Sequence, residues 1–226
     1  MRVWAVVPAA GSGQRMGSAI PKQFLELAGR PLLAWTLSAL AADTRLQGLM
    51  LALPTRTPLP VALPALPVHR CTGGATRQQS VLAALDALAA LGLPESTTVL
   101  VHDAARPLLP AADLAALLDA PAECAILAAA MADTVKQDNG AGRIAATLPR
   151  ERLWRALTPQ RAPLGLLRRA LAEAEAAGVS VTDEAQALER LGIAVQLVPG
   201  SAWNFKITTP DDLRLAAALL SARPSS

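Results

Sequence analysis

Short apolar runs alternate along this chain with longer stretches in which apolar residues recur every three or four positions. Residues 3–7, 48–53, 97–101 and 125–129 read as strands covered on both faces, and 68–71 and 194–198 as two further strands. Between them, 31–42, 76–91, 163–177, 183–191 and 210–221 read as helices. In 76–91 the apolar positions 81, 82, 85, 88 and 89 form one stripe, and Gly92 supplies a stop. The last helix is signed at its start: Thr209 can cap it, Pro210 fits its first position, and Asp211 and Asp212 favour its positive end. This alternation predicts an α/β fold, a mostly parallel sheet with helices on both faces. No linker interrupts it, so residues 1–226 are expected to form one domain.

Two segments depart from the alternation. Residues 54–67 carry five prolines and cannot be helical, which predicts a surface connection. Residues 134–137 and 143–148, joined by Asp138-Asn139-Gly140-Ala141-Gly142, predict a β-hairpin within an arm at about 133–152. A two-stranded hairpin is marginal alone and needs something to pack on. Two readings stand at this point: a handle for a second subunit, or a hairpin folded on the edge of its own sheet.

Composition narrows the class. Of 226 residues 52% are apolar, yet only four are Trp, two Phe and none Tyr, so the core is built from Ala, Leu and Val. No uninterrupted apolar run reaches the roughly 18 residues of a membrane span, and the chain opens on a strand rather than a signal peptide, so a cytoplasmic protein is expected. Cys71 and Cys124 are too few for a metal quartet or a disulfide framework and read as buried thiols. A net charge of +3 with dispersed basic residues does not imply nucleic acid as a partner. Of 21 basic residues only Lys22, Lys136 and Lys206 are lysine. In so arginine-rich a chain each lysine marks a place where a compact ammonium is wanted, as where several phosphate oxygens converge.

The most informative segment follows the first strand. Pro8 ends the strand's pairing, and Ala9, Ala10, Gly11, Ser12 and Gly13 leave the backbone nearly bare, so its N–H groups can approach a polyanion. Arg15 and Lys22 add positive charge beside them, which suits a triphosphate. Two familiar glycine loops are excluded. Met16 stands where a dinucleotide fingerprint needs its third glycine, and no Gly-Lys pair exists to make a P-loop.

Further constellations fall where strands end, the place at which open α/β sheets bind ligands. Gly73 and Gly74, with Arg77 and Ser80 in the helix that follows, form either a reader of base or ribose or an ordinary helix start. Asp103, in His102-Asp103-Ala104-Ala105-Arg106-Pro107, is placed to hold Mg²⁺ with substrate phosphates, or alternatively to pair with Arg106 and brace its loop. His102 reads as a packed residue, since no nucleophile or ligand spacing accompanies it. Lys206 offers another cation just before the last helix. Together these residues describe nucleotidyl transfer, in which a phosphate oxygen attacks the α-phosphorus of a nucleoside triphosphate, pyrophosphate leaves, and the protein mainly positions and neutralises.

PAAGSGQRMG with PKQF, then GGATRQQSV, HDAARP, LTPQ, TDEA and NFKITTPDD follow in order across nearly the whole chain. The set resembles the 2-C-methyl-D-erythritol 4-phosphate cytidylyltransferase family of the non-mevalonate isoprenoid pathway. The resemblance implies a Rossmann-like nucleotidyltransferase fold, CTP and methylerythritol phosphate as substrates, Mg²⁺ as cofactor, and a homodimer locked by the hairpin arm. It implies Arg15, Lys22 and Lys206 as catalytic cations, the first two at the α-phosphate. It places the nucleotide against Pro8, Ala9, Ala10, Gly11, Gly13, Gly73, Gly74, Arg77, Ser80, Asp103, Ala104 and Arg106, with Asp103 near the metal. Arg150, Thr158 and Thr182 match acceptor-phosphate contacts, Arg150 reaching the partner's site. Ala75, Gln14 and Trp203 depart from the family pattern, which bears on base selectivity but touches neither Arg15 nor Lys22. Ribitol-5-phosphate cytidylyltransferase, of the same fold and reaction, is the nearest rival, and a non-catalytic nucleotide-binding regulator is a more distant one. No fused cyclase domain is expected.

Overall fold

The computed structural model describes residues 2–11, 21–55 and 61–222. In chain order these form β1 (Val3–Pro8), the short pair β2 (Glu26–Leu27) and β3 (Arg30–Pro31), α1 (Leu32–Ala41), β4 (Leu46–Leu53), β5 (Val68–Thr72), α2 (Arg77–Ala90), β6 (Thr98–Val101), α3 (Ala111–Asp119) and β7 (Ala125–Ala130). There follow β8 (Val135–Asp138), β9 (Ile144–Leu148), β10 (Trp154–Pro163), α4 (Leu164–Ala176), α5 (Glu184–Arg190), β11 (Gln196–Pro199) and α6 (Pro210–Ser221). Seven strands make one sheet in the order β11-β7-β10-β6-β1-β4-β5. Its pairs are parallel except for β10, which runs antiparallel between β6 and β7. The expected mostly parallel α/β sheet is what forms.

β1 shows why its run lacks polar alternation. Val3, Ala5 and Val7 enter a core with Leu33 and Leu37 of α1 and Leu114 and Leu117 of α3. Trp4 and Val6 point the other way, into a core with Val81 and Leu85 of α2 and Leu167 and Leu171 of α4. Both faces are covered, so both parities must be apolar. Trp4 is accommodated because Gly48 stands beside it in β4, where a Cβ would lie 2.5 Å from the indole.

Besides the short pair β2 and β3, two elements lie where none was expected. α3 carries its buried leucines at 114, 117 and 118, a helical spacing diluted by alanines. β10 is interrupted in sequence by Arg155, Pro159 and Arg161. Pro159 has no N–H to donate and falls inside the register shift between Ala156 and Gln160 on the β7 side. Arg161 is buried, and its guanidinium donates to the carbonyls of Leu117 and Leu118 (both 2.8 Å), Ala120 (2.9 Å) and Ala122. These include orphan acceptors at the end of α3, so a charge that sequence alone puts at the surface serves as a helix cap.

The hairpin forms with β8 and β9 as a two-stranded sheet of its own, hydrogen bonded to no strand of the large sheet. It is largely exposed, with Ile144 66% accessible. The reading that laid it on the edge of the main sheet is therefore set aside. Lys136 belongs to this arm, where its ammonium donates to Thr147 across the hairpin at 2.7 Å.

Candidate active site

The carboxyl ends of β1, β5 and β6 deliver three loops to one edge of the sheet. After β1, Ala9 donates its N–H to Ala52 at 2.8 Å, and the carbonyl of Ala9 accepts from the buried amide of Gln23 at 2.7 Å. Gln23 is the middle residue of a 3-10 turn, Lys22–Phe24, so this bond fastens the turn bearing Lys22 to the loop bearing Ala9, Ala10 and Gly11. Gly13 and Arg15 lie outside the described residues.

The loop after β5 faces this one across a cleft of ≈ 110 Å³, lined among others by Pro8, Ala10, Gly11, Gly74, Arg77 and Ser80. Its closeness explains its glycines: a Cβ on Gly73 would lie 2.5 Å from that of Ala10, and one on Gly74 2.3 Å from that of Gln79. At these two positions only bare backbone fits. Thr76 and Gln79 form a capping box at the start of α2, and the Ser80 hydroxyl turns back to the carbonyls of Thr76 (2.8 Å) and Gly74 (3.3 Å). The helix thus presents its positive end at the cleft with its loop already shaped.

Asp103, at the end of β6, is the electrostatic centre. Arg77 Nε donates to its Oδ1 at 2.9 Å, Lys206 Nζ lies 3.0 Å from Oδ2, and Arg106 Nε lies 3.5 Å from Oδ2. Burial alone would raise this carboxyl, but the charges of Arg77, Lys206 and Arg106 outweigh it and hold it well below the ordinary carboxylate range. The reading in which Asp103 pairs with Arg106 is what forms, and Arg77 and Lys206 share the same carboxylate.

Beneath lies a buried network. His102 is fully buried; its Nε2 lies 3.0 Å from the Arg106 carbonyl and its Nδ1 2.8 Å from the Thr158 hydroxyl. A carbonyl only accepts, so Nε2 carries the hydrogen, and Thr158 donates to Nδ1 while accepting from the Asp103 N–H at 3.1 Å. Burial pushes the imidazole down to about 4, which keeps it neutral in this role. Arg106 Nη1 donates to the Asn204 carbonyl and Asn204 Nδ2 to the Thr158 carbonyl, both at 2.7 Å. Thr36 and Ile207 hold the carbonyls of Ala104 and Ala105 at 2.9 Å each. His102 is packed, as its sequence context indicated.

The remaining expected residues are placed as follows. Thr158 is 4% exposed, with its hydroxyl hydrogen committed to His102. Thr182 is exposed and lines a cavity of ≈ 320 Å³ with Asp183, Gln186, Trp154 and Ile126. Arg150 opens a 3-10 turn after the hairpin and donates to the carbonyl of Ala132. Sequence reasoning missed Gln23, Asn204 and Glu184. Glu184 accepts both terminal nitrogens of Arg77, at 2.7 and 3.0 Å, and burial pushes its carboxyl up against the pull of that guanidinium. From sequence it reads only as a helix-start acid, since its partner lies 107 positions away.

The family model for 2-C-methyl-D-erythritol 4-phosphate cytidylyltransferase matches residues 3–222. The chain belongs to this family. It is accordingly an enzyme, a nucleotidyltransferase. The 2-C-methyl-D-erythritol 4-phosphate cytidylyltransferase of Xanthomonas campestris pv. campestris strain 8004 is 54% identical over 217 residues, covering 93% of this chain and 82% of its own. That of Xanthomonas axonopodis pv. citri strain 306 is 52% identical over 221 residues, covering 93% and 81%. Among solved structures, the cytidylyltransferase of Thermus thermophilus superposes with a TM-score of 0.82 at 38% identity, covering 98% of this chain and 100% of its own. That of Francisella tularensis gives 0.80 at 32% identity, covering 96% and 98%. Among the described residues no helix is long and apolar enough to cross a membrane.

Proposed function

We propose that this enzyme, which transfers the cytidylyl group of CTP to 2-C-methyl-D-erythritol 4-phosphate, does so by positioning and charge neutralisation alone, within one nucleotidyltransferase domain. The observation that carries the reading is the meeting, at one sheet edge, of a cleft walled by bare backbone with three cations gathered on Asp103. The cleft takes the nucleoside, which lies against Ala10, Gly11 and Gly74. Arg77, Arg106 and Lys206 face its phosphates, and Lys22, with Arg15 of the preceding loop, acts at the α-phosphate. An oxygen of the acceptor phosphate attacks the α-phosphorus, the bond to the β-phosphate oxygen breaks, and pyrophosphate leaves with that electron pair. A phosphate nucleophile is already anionic and needs no general base, which agrees with a His102 that is buried, neutral and hydrogen bonded at both nitrogens.

Magnesium fits this site as a companion of the triphosphate. No group of three or more His, Cys, Asp or Glu among the described residues could hold a metal by itself. Asp103 supplies a single carboxylate already shared among cations, so phosphate oxygens and water would complete the shell of an ion that is content with one or two carboxylates. When bound, the ion adds charge neutralisation at the phosphates. Arg150 and Thr182 are assigned to the acceptor phosphate. Arg150 serves the partner's site in a homodimer built through the exposed hairpin, a role supported by the arm's separation from the main sheet and its exposed Ile144.

The test is pyrophosphate release from CTP and Mg²⁺ with methylerythritol phosphate or ribitol 5-phosphate as acceptor. Release with the first and not the second is expected. Release with ribitol phosphate alone would move the chain to the rival substrate, and release with neither would leave a nucleotide-binding protein without transfer.

A further inference from the structure

Glu184 has no part in the transfer as described, yet it is among the most buried acids of the chain, 1% exposed. Full burial of a carboxylate is costly unless it is paired and hydrogen bonded. Its partner Arg77 already has Asp103. What the second carboxylate changes is how Arg77 is oriented. A guanidinium has five N–H donors in a rigid fork, and here both terminal nitrogens are taken by the two Glu184 oxygens. Two of the five N–H groups are spent on Glu184, which fixes the plane of the guanidinium, and it is Nε that meets Asp103, at Oδ1 and 2.9 Å. Oδ2 is thereby left to Lys206 at 3.0 Å, with Arg106 at 3.5 Å.

Glu184 is itself firmly held. The first turn of α5 is fastened to β10 by Gln160, whose Oε1 accepts from the Ala185 N–H at 2.9 Å and whose Nε2 donates to Asp183 at 3.0 Å. The preceding loop is fastened to α2 by Gln78, which accepts from the Val181 N–H at 3.0 Å.

We propose that Glu184 is a positioning residue for the transfer: by gripping both terminal nitrogens of Arg77 it fixes the orientation of that guanidinium, with Nε on Asp103 Oδ1, and so sets where Lys206 stands before phosphates arrive. Without the Glu184 charge, the nearest remaining anion for the fork is Asp103. Arg77 then takes both of its oxygens and Lys206 is displaced. The proposal rests on the reading above, in which Lys206 faces the phosphates.

The substitution E184Q keeps size and one acceptor while removing the charge. In steady-state pyrophosphate release from CTP, Mg²⁺ and methylerythritol phosphate, kcat is expected to fall about tenfold or more while the KM for CTP stays within about threefold. On a K206M background the same substitution should cost less than about twofold, because its effect runs through Lys206. E184D, which keeps the charge on a shorter arm, should fall between wild type and E184Q, and it carries the test should E184Q fail to fold. Wild-type kcat in E184Q or E184D beside a slow K206M overturns the proposal, as do losses that simply multiply in the double variant. So does a lowered melting temperature with kcat per folded enzyme unchanged. Wild-type kcat in K206M overturns the role given to Lys206 and this proposal with it.

Discussion

Lys22 heads a turn that Gln23 ties to the Ala9 carbonyl, so the turn is fastened to the segment that walls the proposed nucleotide cleft. In its proposed role at the α-phosphate, Lys22 should matter for turnover more than for binding. Lys22→Ala is expected to lower kcat by at least about 10²-fold, the scale of losing one transition-state donor. Single-turnover kinetics at saturating CTP would show it, and a near-normal rate would remove Lys22 from that role. Gly74 makes a different demand. An added methyl would meet the Gln79 Cβ at 2.3 Å, and the loop must shift to admit it. Gly74→Ala should therefore raise the KM for CTP about tenfold, while costing about 1–3 kcal/mol of stability in denaturant unfolding. At this scale the residues that meet at the sheet edge were legible in part: the glycines, Lys206 and Asp103 announce themselves by type and position, whereas Lys136, marked by the same scarcity of lysine, lies on the hairpin arm. Glu184, Gln23 and Asn204 were not. Their roles arise from partners far away in the chain, and nothing local in an acid or amide reveals burial.

Among elements, α6 was readable in full, from Pro210 to Ser221, because every signal of its start is local. Thr209 accepts from the Asp212 N–H, and the Asp212 carboxylate accepts from Thr208 N–H (2.7 Å), Thr208 hydroxyl (2.8 Å) and Thr209 N–H (2.9 Å). Burial works to raise Asp212, but these bonds outweigh it and lower its carboxyl. An acid lowered by folding contributes stability that is present above its unfolded pKa and lost as pH falls through the folded one. Asp212→Ala should thus cost about 1 kcal/mol in urea unfolding at pH 7, and its deficit should shrink as pH drops below about 3.9. A deficit that is constant with pH would count against the carboxylate as its source. β10 was illegible for the opposite reason. Arg161 looks like a surface charge until α3 supplies carbonyls for it, and Pro159 looks like a strand breaker until a register shift makes room.

For the whole molecule, the alternation of strands and helices announced the parallel sheet in advance, while the antiparallel insertion of β10 and the independence of the hairpin came only with the structure. If the arm serves a neighbour's site, Arg150→Ala should raise the KM for the acceptor several-fold more than the KM for CTP, and equal changes would speak against acceptor binding. Mixing that variant with one disabled at Lys22 should restore activity in hybrid dimers, since one site would then have both residues intact. Asp103 has a further meaning for an enzyme working amid many solutes. Its carboxylate occupies the cations that, in the proposed function, phosphates claim. It is an internal competitor at an effective concentration on the order of millimolar or above. Chloride or a stray monocarboxylate must displace it one contact at a time and gains little, whereas a chain of phosphoryl groups engages several cations at once. If phosphates bind here as proposed, the three-cation cluster screens ligands by valence before any base is read.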